Sequence, residues 1–96
     1  MALFVVRHQH TADGCPAEDP GMGMMLLQHL SPANAAANGV HIQADAAVDG
    51  GHTLYLIVDA PDQQTVDRFM NPFTHFGTVE VLPSSACEVV VGRGAC

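Results

Sequence analysis

Two alternating apolar runs joined by Asp49-Gly50-Gly51 constrain this 96-residue chain more than any other feature. Val40, Ile42, Ala44, Ala46 and Val48 share one parity, and the return run carries Leu54, Leu56 and Val58 on one parity of its own. Side chains two apart lie on the same face of a strand. Asp-Gly-Gly supplies the conformational freedom of a tight reversal. The sequence therefore predicts a hairpin of residues 40–48 and 52–58. A three-residue loop pairs Val48 with His52, Ala46 with Leu54, Ala44 with Leu56 and Ile42 with Val58, apolar against apolar. A two-residue loop pairs Gln43 with Leu56 and mixes polar with apolar on each face, so the longer loop is expected.

The flanking segments extend this pattern. Residues 2–10 read as a strand rich in Val and Phe. Residues 11–21 read as a long loop, the kind that often carries function. A short helix is expected over 22–30. Ser31 then acts as an N-cap, Pro32 opens a second helical piece, and Asn38-Gly39 stops it. Asp59 to Asp62 opens a third helix, with Val66, Phe69 and Met70 as its apolar face, and Asn71-Pro72 breaks or kinks it. Residues 78–82 read as a fourth strand, Pro83-Ser84-Ser85 as a turn, Cys87–Val91 as a fifth, short strand, and the last residues as a loose tail. Cys87, beside Val89 and Val91, is expected to be a small buried hydrophobe.

The order is β-α-β-β-α-β in a single α+β domain over residues 1–96, an antiparallel sheet with helices on one face and an extra C-terminal strand. Up to about residue 82 this order resembles the ferredoxin-like arrangement. With the added strand, the topology and length resemble the dimeric α+β-barrel superfamily. That resemblance implies a homodimer with sheets paired face to face, and it transfers no catalytic residue. Tyr55 and Ile57, on the face opposite Leu54 and Leu56, also point to a dimer.

Composition narrows the function. The chain has no lysine, three arginines and a formal net charge of −7. Nucleic acid and acidic membrane surfaces are therefore not expected as partners. No apolar run reaches a membrane span. The first residues enter a strand directly, with no basic leader, which reads as a cytoplasmic protein. Three cysteines are an odd number for a disulfide framework, so thiols are expected.

The chemistry gathers at the end of the first strand. Ala2 to Val6 is apolar, then the chain runs Arg7-His8-Gln9-His10, and Cys15 follows in the loop. His8 and His10 share a face. In a ferredoxin-like sheet the first strand lies between the third and fourth, antiparallel to both, which brings His52 to the same rim. His8, His10, His52 and Cys15 thus form a candidate transition-metal set, with zinc the first choice and copper the second because Met22, Met24 and Met25 are nearby. Asp13, Glu18 and Asp19 are candidate supporting carboxylates. The loop from Thr11 to Gly21 is expected to cover the rim.

Two other readings stay open. One is a metal-free enzyme or small-molecule-binding protein of the dimeric α+β-barrel type, with His8 or His10 as general base. The other is a thiol redox or sensor protein using Cys15.

Overall fold

The structure, a computed structural model, describes residues 1–96. Its strands are β1 (Ala2–His10), β2 (His41–Val48), β3 (Thr53–Ala60) and β4 (Gly77–Ser84), and its helices are α1 (Pro20–His29), α2 (Pro32–Ala37), α3 (Gln63–Met70) and α4 (Cys87–Arg93). The sheet order is β2-β3-β1-β4, with every neighbouring pair antiparallel. This is ferredoxin-like topology.

The core lies on one face of the sheet. Phe4 and Val6 of β1 and Leu56, Val58 and Ala60 of β3 are buried against Val66, Phe69 and Met70 of α3, with Phe73, Ala35 and Val40 closing the edges. Helices α1, α2 and α3 each start where a side chain can accept their free amides. Asp19 accepts from the Gly21 and Met22 amides, Ser31 from the Asn34 amide, and Asp62 from both the amide and the hydroxyl of Thr65. Pro20 occupies the first turn of α1, so this helix starts two residues before the expected 22. The His29 Nε2–H donates to the Phe69 carbonyl at 2.7 Å and ties α1 to α3.

Three expectations need correction. The first is the barrel. The sheet has four strands and stays open, so the resemblance to the dimeric α+β-barrel superfamily does not hold. Residues 87–93 form helix α4, not a fifth strand. The valines that suggested a strand favour one only where a half-buried pleated surface receives them. Here Pro83 continues edge strand β4, where a missing amide is tolerated. Gly94, left-handed at φ 71°, then ends α4. No residue of α4 is buried, and Cys87 is exposed instead of packed.

The second correction concerns the hairpin. Ile42 faces Val58 as expected, but Ala44 faces Ile57 and Ala46 faces Tyr55, because Gln43 is an extra residue in the strand. The Gln43 side chain donates to Asp59 at 2.6 Å, which anchors this bulge. Val48 consequently pairs with Thr53, and His52 belongs to a four-residue loop. The third correction is that Ala44 and Ala46 leave the core face and join Tyr55 and Ile57 on the free one.

β4 meets β1 closely at its first residue. A Cβ on Gly77 would run into the Gln9 carbonyl and lie 2.9 Å from the His10 Cα. Backbone on both sides cannot yield, so Gly77→Ala should destabilise the fold by roughly 2–3 kcal/mol, read as a lower midpoint in urea. Unchanged stability would show that the two strands are not locked at His10.

Candidate metal centre at the sheet rim

Strand β1 changes character along its length. Phe4, Val6, His8 and His10 occupy alternate positions on the core face, so the apolar row ends in two imidazoles. His8 is only 1% exposed, and its ring meets the Phe73 ring edge-on at 5.2 Å. Its Nδ1–H donates to the Thr78 carbonyl at 3.1 Å. That bond sets the tautomer and leaves a lone pair on Nε2. Nε2 is buried with no partner, as are both ring nitrogens of His10.

His52 arrives from the hairpin. The His10 amide donates to the His52 carbonyl at 3.1 Å, and the two rings lie 5.4 Å apart, edge to face. His52 has φ of 49°, the one non-glycine residue in the left-handed region. That conformation costs an L-residue about 1 kcal/mol or more. Here it places the imidazole at the end of β1.

Cys15 is held by the loop that leaves β1. Two 3-10 turns, Ala12–Gly14 and Pro16–Glu18, meet at this residue. Its amide donates to the Ala12 carbonyl, and its carbonyl accepts from Glu18. Pro16 beside it is buried. The loop expected to cover the rim thus carries Cys15 between two tight turns.

The structure brings together three of the four residues singled out from the sequence. Ligand atoms of His10, Cys15 and His52 all lie within 4.8 Å of one another. With Zn–N near 2.0–2.1 Å and Zn–S near 2.3 Å, a tetrahedron spaces its donors about 3.3–3.6 Å apart, so a modest contraction would close this group on an ion. His8 stands outside the group, its ring 5.3 Å from that of His10. The loop carboxylates also stay outside it: Asp19 caps α1, while Asp13 and Glu18 are exposed. Met22 and Met25 line a different cavity, with His29 and Phe73, and Met24 is exposed. A cleft of about 540 Å³ opens beside the cluster, between α1 and the hairpin, and its walls come from elements distant in sequence.

Burial keeps the imidazoles neutral. Desolvation lowers the His8 pKa below its ordinary 6.5, against the opposing Thr78 bond and with added repulsion from His10. Desolvation does the same at His10, helped by His52. Neutral imidazole is the form that binds metals.

Comparison with protein-family models and with curated proteins finds no match.

The depressed pKa values carry a consequence for stability. The unfolded chain takes up protons on His8 and His10 near pH 6.5, and the folded chain does so only at lower pH. Stability of the metal-free protein is therefore complete above about 6.5 and falls as pH drops toward the folded values. Urea unfolding at pH 7.5, 6.5 and 5.5 should show a declining midpoint, and a flat profile would mean that these histidines are not held neutral.

Proposed function

We propose that this chain is a small transition-metal-binding protein that holds one ion per chain through His10, Cys15 and His52. The observation that carries the reading is a thiol and two imidazoles within 4.8 Å, with both His10 nitrogens buried and unpartnered. A buried polar atom without a partner costs about 1–3 kcal/mol, and a bound ion removes that cost. In this proposal His8 packs behind His10 and makes no bond to the ion. The acidic chain attracts cations. Cys15 must stay reduced, which favours a reducing, cytoplasmic setting.

Zinc remains the first choice, because mixed imidazole and thiolate sets suit it. Copper sites of the two-histidine, one-cysteine type add a weak axial donor such as Met. The methionines that favoured copper lie at another cavity. Three protein donors leave a fourth position open, the pattern of sites that exchange a ligand.

Elemental analysis of protein purified without a histidine tag tests this. Wild type and His8→Gln should carry one zinc per chain, while His10→Gln, Cys15→Ser and His52→Gly should lose it. His52→Gly is the cleanest variant, since glycine suits the left-handed position and the fold should persist. Zinc at a hundred times its Kd should stabilise wild type by about 2.7 kcal/mol and the three variants not at all. A wild type without metal, or variants that keep it, would contradict the proposal.

The proposal includes a homodimer through the free face of the sheet, with both sheets remaining open. Tyr55 and Ile57, each 39% exposed, and Leu82, 45% exposed, surround an Arg7–Glu80 ion pair at 3.0 Å. That pair satisfies itself, so a second copy can cover the patch without leaving an isolated charge. Light scattering should give a dimer at micromolar concentration and a monomer for Ile57→Asp. A monomeric wild type would remove this part.

A further inference from the structure

The cleft beside the His/Cys cluster differs in character from the cluster itself. Leu26 and Leu27 of α1, Ala17 of the loop, and Val48 and Leu54 of the hairpin contribute to its walls. Its volume of about 540 Å³ lies within the usual range for small-molecule sites, roughly 300–1,000 Å³. Its lining is mainly apolar; the polar members are His8, His10, Cys15 and His52, with Asp49 and Thr53 from the hairpin. A molecule whose polar head meets the cluster can lay its remainder against the aliphatic side chains of the cleft.

Charge then selects the head. A divalent ion held by one thiolate and two neutral imidazoles carries a net charge of +1. An uncompensated charge beside apolar walls is costly, and a monoanionic fourth ligand neutralises it. We infer that the fourth position is taken by a small aliphatic monoanion, a carboxylate or thiolate whose alkyl tail occupies the cleft. This inference rests on the metal reading and adds a ligand class to it. The competing donor is Asp49, which itself lines the cleft but is not among the grouped ligand atoms.

The test uses the full chain loaded with cobalt(II), whose visible d–d bands report ligand exchange. Acetate, butanoate and hexanoate are titrated in turn. Affinity should rise about fourfold per methylene as each CH₂ leaves water. Leu27→Ser, at a residue 66% exposed and therefore dispensable for folding, should weaken hexanoate several-fold and leave acetate unchanged. Asp49→Asn should leave the cobalt spectrum as in wild type. Affinity independent of chain length would overturn the cleft assignment while leaving the metal site standing. A spectrum altered by Asp49→Asn would assign the fourth position to the protein and overturn the inference. Failure of wild type to bind cobalt would overturn the metal reading and the inference with it.

Discussion

The hydrogen bond from the His10 amide to the His52 carbonyl, 3.1 Å long, is the contact on which the rim depends. It continues the β1–β3 ladder one step past its last paired residues and fixes two imidazoles opposite one another. On the other side of β1, Gly77 brings β4 against the same residue so closely that no side chain fits between. The end of β1 is thus clamped from both edges, and the chain leaving it folds at once into two tight turns that hold Cys15. A site built on clamped strand ends keeps its geometry better than one built on free loops.

Energetically the rim is the opposite of the other end of β1. Phe4 and Val6 are buried among apolar partners, whereas buried His8 and half-buried His10 leave three occluded ring nitrogens without partners. Hydrophobic packing of the core offsets that cost and the strain of left-handed His52. An ion bound at such a rim would add its binding free energy to the stability of the fold. The same desolvation that makes the imidazoles costly also keeps them neutral and ready to ligate.

Alternation made much of this legible in the amino-acid sequence. The parity of Phe4, Val6, His8 and His10 puts both imidazoles at the end of the core row, and Asp49-Gly50-Gly51 marks the reversal that brings His52 back. Ser31-Pro32 marks a helix start that the structure contains, and of the expected start at Asp59 to Asp62 only Asp62 caps α3, because β3 runs on to Ala60. What escaped depends on contacts between distant segments. The bulge at Gln43 is held by Asp59, sixteen residues away, and it alone moves Ala44 and Ala46 to the free face. The valines of α4 fit a strand as well as a helix until the sheet edge is seen to end at β4. Asp19-Pro20 was a readable cap signal hidden within an apparent loop.

The central claim is that one thiolate and two imidazoles meet on a single ion. X-ray absorption at the zinc edge of the loaded protein tests it directly. The expected spectrum has one sulfur at about 2.3 Å and light donors at about 2.0–2.1 Å, two of them with the outer scattering of imidazole. A shell with no sulfur, or with more than one, would contradict it.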